Sequence, residues 1–285
     1  VPGVVETEDG ATTASVSKIT SGIFCNKTEI TSVDLSATRI KTFIPKSYNK
    51  TAFEGCSGMT SVKLPETLTQ LPNYMFDGCS SLEMVEIPAS VKTFGTNPAA
   101  HTRIFNGCTS LMDIYVDENS TSFKEIDGVL FDKAGTTLYA YPAGRDAETY
   151  VVPDGVTKIF HGAFQNAQHL KKVRFPSSLT EVGQYAFYGI IQGDTDDNSL
   201  EEAWFYGNLA STKMGNFAFL SDVSKIQKAN GISLDSVPEE CRGSVKLNAS
   251  VSPAAADQGI VWSIDSTEYA DLTSDGTLTP KAAGT

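Results

Sequence analysis

Residues 76–82 read Phe-Asp-Gly-Cys-Ser-Ser-Leu, and this stretch recurs along a chain of 285 residues. Close copies begin at Phe53 and Phe105, and a degenerate copy begins at Phe164. Phe53 lies 23 residues before Phe76, and Phe105 lies 29 residues after Phe76, which is one unit with a short insertion. Self-similarity at a period of about 20–50 residues is typical of proteins built from stacked structural repeats.

Each copy leads into three apolar positions, of which the last two are two residues apart. A spacing of two places both side chains on one face of a β-strand. A proline then follows in four units and ends the strand, because proline has no N–H for the ladder. A single unit cannot bury its apolar side alone, so neighbouring units must stack into one core. We therefore expect a mainly β solenoid of about 23-residue units, with core anchors at Phe53, Phe76, Phe105, Phe164 and Phe187.

A family resemblance rests on these residues. The pattern Leu-x-x-Val-x-Ile-Pro at residues 82–88, preceded by Gly-Cys-Ser-Ser, resembles the BspA-type leucine-rich repeat. Residues 128–144 resemble a variant unit that is interspersed in that family, and the resemblance spans residues 16–225. It implies a curved solenoid with a stacked parallel sheet on one face. It also implies a secreted or cell-surface protein of the adhesin type, with no catalytic residues and no cofactor.

A second module is indicated after the repeats. Val245, Leu247, Ala249 and Val251 alternate with polar residues, which is typical of a half-buried strand. This region resembles the bacterial immunoglobulin-like domain of group 2, a spacer in surface adhesins, but stops before its last expected strand. We therefore predict three segments: a flexible leader at residues 1–15, the solenoid at 16–225, and a partial all-β immunoglobulin-like sandwich at 226–285.

Composition and charge exclude several classes of partner. The chain has 22 basic and 34 acidic residues, which gives a net charge of −12. Nucleic-acid binding depends on Lys and Arg at phosphates, and docking on anionic lipid depends on basic clusters, so neither is expected. No apolar run reaches the roughly 18 residues that would span a membrane. The family resemblance implies a secreted or cell-surface location, and we expect a monomer.

Three of the five cysteines, Cys56, Cys79 and Cys108, occupy one equivalent repeat position. Strands stack about 4.8 Å apart with parallel side chains. A disulfide requires Cβ atoms about 3.8 Å apart that face one another. We therefore predict a ladder of buried free thiols, with a disulfide or a metal site as the alternatives. The spacings match no common zinc motif.

Catalytic and metal-binding patterns are weak. The sequence has no Gly-x-Ser-x-Gly elbow for a nucleophilic serine, and its adjacent acidic pairs do not predict two carboxylates across a cleft. Asp194, Asp196 and Asp197 form an acidic loop that could hold calcium, but the loop lacks the Gly and Glu of an EF-hand. A solvated loop is the preferred interpretation. We predict no enzyme activity, and a hydrolase is the least favoured alternative.

The outward-facing row of the predicted sheet is the candidate binding surface. It contains Tyr115, Arg174 and Trp204, and Tyr206 follows on the same side. Tyr, Trp and Arg are enriched at binding hot spots, and aromatic faces also suit sugar rings. The alternative interpretation is that Trp204 is covered by residues 190–199 or packs at the domain junction. The expected partner is a protein or glycan of a host or neighbouring cell; the alternative function is a structural part of the cell envelope.

Overall fold

The computed structural model describes residues 22–44, 52–95, 103–189, 200–206, 212–215 and 218, and the backbone of further short strands near both ends. No helix in this described part is long and apolar enough to cross a membrane. The regular elements are short strands: β1 (Val4–Glu6), β2 (Thr13–Ser15), β3 (Ile19–Thr20), β4 (Ser32–Asp34), β5 (Phe43–Ile44), β6 (Ser61–Lys63), β7 (Gln70–Leu71), β8 (Met84–Ile87), β9 (Thr93–Phe94), β10 (Asp113–Val116), β11 (Phe123–Ile126), β12 (Val129–Asp132), β13 (Thr137–Ala140), β14 (Thr149–Val151), β15 (Lys158–Ile159), β16 (Lys172–Phe175), β17 (Glu181–Val182), β18 (Glu202–Phe205), β19 (Lys213–Met214), β20 (Ile226–Lys228), β21 (Gly231–Leu234), β22 (Val245–Lys246), β23 (Ala249–Ser252), β24 (Ala270–Leu272) and β25 (Thr277–Pro280).

The strands of the repeats form two parallel ranks. In the first rank β4 pairs with β6, β8 pairs with β10, and β14, β16, β18 and β20 form one sheet. In the second rank β3 pairs with β5, β7 pairs with β9, and β13, β15, β17 and β19 pair in order. Within β8, Val85 and Ile87 are buried while Met84 and Glu86 are exposed, as the period of two requires. The predicted mainly β repeat solenoid is confirmed.

A third rank consists of the turns that carry the repeat aromatic residues. Phe24, Phe53, Phe76 and Phe105 stack in sequence, with ring centroids 5.3, 5.6 and 5.6 Å apart and rings nearly parallel. A second stack contains Tyr141, Phe164 and Phe187, at 5.2 and 4.7 Å. Phe53, Phe76, Phe164 and Phe187 are buried, and Phe105 is 9% exposed. The equivalent turn position therefore places one ring of every such unit in a continuous core.

The repeat cysteines bind the turns of successive units together. The thiol of Cys79 donates to the carbonyl oxygen of Phe53 at 3.1 Å, and the same oxygen accepts the Cys56 N–H. Cys56 and Cys108 repeat this bond with the carbonyl oxygens of Phe24 and Phe76. All three side chains are fully buried and none forms a disulfide. Burial raises the pKa of each thiol, which keeps the sulfur protonated and able to donate.

The conserved spacing of the turn also requires glycine before the cysteine. Gly78 and Gly107 have φ of +77° and +74°, a left-handed conformation that glycine adopts without a steric penalty. A Cβ on Gly107 would lie 3.2 Å from the Cα of Gly78, because the turns of neighbouring units pack backbone against backbone. Glycine is therefore required before the repeat cysteine for two reasons: the backbone is left-handed there, and a side chain would have little room.

A hairpin interrupts the first rank between β10 and β14. β11 and β12 pair antiparallel, β12 pairs antiparallel with β13, and β13 then joins the second rank. The carbonyl oxygen of Gly128, in the turn of the hairpin, accepts the N–H of Ile114 in β10. The hairpin thereby meets β10 on the side away from β8, and the first rank resumes only at β14.

Asn166 joins the turns on the two sides of this interruption. It occupies the place of the repeat glycine and has a φ of +61°, which Asn tolerates better than most residues. Its Oδ1 accepts the N–H of Gly107 at 2.7 Å, and its Nδ2 donates to the carbonyl oxygen of Gly189 at 3.1 Å. In the regular units the glycine N–H instead donates to a backbone carbonyl, as Gly78 does to Asn106. One side chain therefore replaces the backbone bond that the insertion removes.

Short strands also lie near both ends of the chain. β1 and β2 form an antiparallel pair within residues 1–15, the segment predicted as a flexible leader. β20 pairs in parallel with β18, which extends the solenoid sheet to residue 228, past the predicted boundary at 225. Beyond it, β21 pairs with β23, and β22, β25 and β24 form a second antiparallel sheet. These pairings do not show the immunoglobulin-like sandwich that the sequence suggested.

Replacing Phe76 by alanine tests the aromatic stack. The ring contacts both Phe53 and Phe105, so Phe76→Ala removes two stacked pairs and leaves a cavity. We expect the free energy of unfolding to fall by about 3–5 kcal/mol in a denaturant titration. The exposed Tyr115→Ala is the control, with a change within about 0.5 kcal/mol. A Phe76→Ala effect no larger than that of the control would contradict a core position for the ring.

Replacing Asn166 by glycine tests the junction. Glycine keeps the left-handed backbone but removes both side-chain hydrogen bonds, so we expect a loss of about 1–2 kcal/mol in unfolding free energy. Asn166→Ala should cost more, because it adds backbone strain to the lost bonds. Urea denaturation of the two variants measures this difference. Equal stability of Asn166→Gly and the parent protein would show that the side chain does not join the turns.

Candidate functional site

The outward face of the first rank carries many charged side chains, and several of them form ion pairs with neighbouring units. Lys63 lies 3.9 Å from Asp34, and Lys172 lies 2.9 Å from Glu202. Arg145 lies 3.5 Å from Asp113, next to the hairpin. Paired and solvated side chains of this kind contribute little to stability and offer little net attraction to a partner.

Three exposed apolar side chains on and beside β8 and β10 differ from this charged background. Met84 is 51% exposed, Tyr115 is 43% exposed and Met112 is 41% exposed. Met84 lies opposite Asp113 in the parallel ladder, so Tyr115, which is opposite the exposed Glu86, is its diagonal neighbour on the same face. Met112 directly precedes β10, and its N–H donates to the carbonyl oxygen of Glu83, next to Met84. We call Met84, Met112 and Tyr115 the sheet-face patch, which lies on β8 and at the start of β10, beside the interruption of the first rank.

The other residues predicted for this surface do not join Tyr115. Arg174 lies on β16, in the separate sheet that follows the hairpin, and is half-buried. Tyr206 is also half-buried, directly after β18, where its N–H donates to the carbonyl oxygen of Phe175. The structure therefore divides the predicted row between two sheets.

The structure places Trp204 in a buried position and not in the exposed aromatic row where it was predicted. Its side chain is 2% exposed, so it is not part of the open face. β18 has a neighbour on each side, which places Trp204 between Arg174 and position 227 in the ladder. The indole N–H donates to Glu202 at 2.8 Å, and Glu202 in turn pairs with Lys172. Trp204 is therefore a buried side chain whose indole N–H is hydrogen-bonded, and we interpret it as a packing residue.

A cleft on the turn edge was missed by the sequence reasoning. It has a volume of about 200 Å³ and is lined by Arg103, Gln165, Tyr185 and Tyr188. Arg103 and Tyr185 both stand two residues before a repeat phenylalanine, and Gln165 and Tyr188 stand one residue after one. The signal in the sequence is therefore the pair of variable positions two residues before and one residue after each repeat phenylalanine. Comparing these positions between units would have revealed the cluster.

The remaining candidates do not form a reactive site within the described residues. No group of three or more His, Cys, Asp or Glu side chains in that part of the chain is arranged to hold a metal ion. His161 accepts the N–H of Gln184 through Nδ1, and His169 lies exposed, 3.9 Å from Asp146. Asp194, Asp196 and Asp197, the calcium candidates, lie outside the described residues.

Comparison with solved structures finds similarity to leucine-rich repeat proteins. A leucine-rich repeat protein from Eubacterium ventriosum is 20% identical, with a TM-score of 0.50 over 71% of this chain and 54% of that one. The pneumococcal vaccine antigen PcpA is 20% identical, with a TM-score of 0.45 over 75% of this chain and 62% of that one. A leucine-rich cell surface protein from Faecalibacterium prausnitzii is 20% identical, with a TM-score of 0.41 over 76% and 86% of the two chains. This chain thus spans about half of the first of these proteins and less than two thirds of the second.

Comparison with protein families agrees with the repeat register. No curated protein matches this sequence significantly. The model of the BspA type leucine-rich repeat region matches six copies, over residues 17–132 and 137–230. These ranges include the turns of the aromatic stacks and the strands of both ranks described above. The chain therefore belongs to the family of BspA-type leucine-rich repeat proteins.

Proposed function

We propose that this chain is a non-catalytic binding protein that acts outside the cell, secreted or on the cell surface. Leucine-rich repeat proteins of this kind are typically binding scaffolds, which supports the absence of an enzymatic role. The repeat fold supports the proposal physically, because stacked units present an extended surface of variable residues on a rigid core.

The sheet-face patch is the observation that carries the proposal. Methionine side chains adapt to irregular partner surfaces, and tyrosine supplies a large rigid contact with a polar end. Asp113, beside the patch, is paired with Arg145, and the exposed apolar side chains provide much of the free energy available for association. A flat patch of this composition fits the surface of a protein better than it encloses a small molecule.

The partner is a protein of a host or neighbouring cell, with Tyr115 as the central contact. Arg174 and Tyr206 contribute only if the partner also reaches the second sheet of the first rank. The residues after β20 would serve as a spacer, which the strand-like alternation at Val245–Val251 and the antiparallel pairing of β22 with β25 support.

A binding screen tests the proposed function. The labelled protein is applied to an array of extracellular matrix proteins, cell-surface proteins and glycans, beside the variants Tyr115→Ala and Met84→Ala. We expect saturable binding to a protein, weakened about tenfold or more by Tyr115→Ala, since exposed tyrosines at interface centres contribute on this scale.

Tyr188→Ala is the matched control for the screen. Tyr188 is 40% exposed, close to the 43% of Tyr115, but lies on the turn edge. Binding that survives in Tyr115→Ala and Met84→Ala would place the interface elsewhere and contradict the role of the patch. A pull-down that recovered only components of the producing cell's envelope would favour the structural alternative instead.

A further inference from the structure

The cleft lined by Arg103, Gln165, Tyr185 and Tyr188 is built by the turn rank and not by the sheets. In these turns the residue that follows the repeat phenylalanine donates its N–H to a backbone carbonyl oxygen. The acceptor belongs to the residue two positions before the phenylalanine. Tyr188 donates in this way to Tyr185, and Gln165 donates to Gly162. Each turn therefore places two variable positions side by side at a fixed spacing.

The two tyrosines form a rigid corner. Their ring centroids lie 5.5 Å apart with an angle of 84° between the planes, a favourable edge-to-face pair. Tyr185 has a φ of +55°, a conformation that fixes the direction of its side chain relative to the turn. Tyr188 is 40% exposed, so an aromatic face is available to a ligand at this corner.

The space between the walls exists because one unit has glycine where its neighbours carry large residues. Gly162 is equivalent to Arg103 and Tyr185, and its φ is +67°. The amide of Gln165 lies over Gly162, since a Cβ there would be 2.7 Å from Gln165 Cδ. Gln165 and Arg103 both line the cleft and also a smaller adjoining chamber of about 20 Å³.

Arg103 forms the opposite wall and is anchored by charge. Its Nε lies 3.6 Å from Asp77, and its guanidinium lies 5.9 Å from the centre of the Tyr74 ring. Asn106 donates to the other oxygen of Asp77 at 2.6 Å, which fixes the carboxylate. Guanidinium has four further N–H groups besides Nε–H, so the anchored side chain retains donors. Asp77 offsets the positive charge, and the cleft has no excess charge to select an anion.

We propose that this cleft binds a single neutral pyranose ring of a glycan. The C–H groups of a sugar ring pack on aromatic faces, which Tyr185 and Tyr188 supply. Planar donors and acceptors match vicinal hydroxyl groups, and Arg103 and Gln165 supply these. A volume of 200 Å³ is below the roughly 300–1,000 Å³ of pockets for drug-sized ligands, so it suits one ring and not an oligosaccharide.

Ligand-observed NMR with simple sugars tests the proposal on the full chain. The probes are methyl glycosides of glucose, galactose, mannose and N-acetylglucosamine, with sialic acid as the anionic comparison. Acetylated tyrosine amide and arginine amide represent peptide side chains. For ligands of this size we expect saturable binding with a Kd on the order of 1 mM for at least one neutral glycoside.

Three variants locate the binding. Tyr188→Ala should weaken the best glycoside about tenfold or more, because the exposed stacking face is removed. Tyr188→Phe, which keeps the ring, should retain most of the affinity. Tyr115→Ala, a tyrosine of similar exposure in the sheet-face patch, should change affinity by less than about twofold. Thermal melting of each variant verifies that it is folded, and Gly162→Ala, which displaces Gln165, supplies a second change in the cleft.

Four results would overturn the proposal. They are the absence of saturable binding by every neutral glycoside, affinity unchanged in both Tyr188→Ala and Gly162→Ala, binding of sialic acid alone, and tighter binding of either amide than of any glycoside. Failure here leaves the sheet-face patch intact, because the screen for a protein partner depends on Tyr115 and not on Tyr188.

Discussion

The stacking of one repeat turn on the next is the contact on which the rest of the structure depends. The ring of Phe76 lies between those of Phe53 and Phe105, and the thiol of each repeat cysteine donates to the phenylalanine carbonyl of the preceding unit. Aromatic pairs contribute about 0.5–1.5 kcal/mol beyond the area they bury. In a repeat protein these nearest-neighbour terms sum along the chain, so the loss of one turn weakens two interfaces.

The hairpin β11–β12 gives the solenoid its two distinctive surfaces. By interrupting the first rank it leaves β10 without a parallel neighbour on that side, and the sheet-face patch lies beside the interruption. The turn rank continues across the same gap through Asn166, and the cleft opens between the turns on its two sides. A single insertion thus separates a flat apolar surface on the sheet from a concave polar and aromatic one on the turn edge.

The repeat pattern was sufficient to predict the fold and the core, because period and strand alternation are local properties of the sequence. Val85, Ile87, Phe76 and Cys79 are buried as that pattern requires. The burial of Trp204 was not predictable from alternation alone, because alternation places it on the outward face of β18 with Glu202. The bonds of Asn166 join residues 59 and 23 positions away, and no local pattern encodes them. The cleft likewise depends on side chains from three units, at positions that vary from one repeat to the next.

Alkylation of the native thiols, followed by mass spectrometry of each cysteine, tests the stacked-turn account most directly. Cys25 is partly exposed, whereas Cys56, Cys79 and Cys108 are buried and hydrogen-bonded with raised pKa values. The account predicts that Cys25 reacts before Cys56, Cys79 and Cys108, and that these three react together and far more slowly, at the rate at which the stacked turns open. Alkylation of Cys79 or Cys108 as fast as Cys25 under native conditions would contradict it.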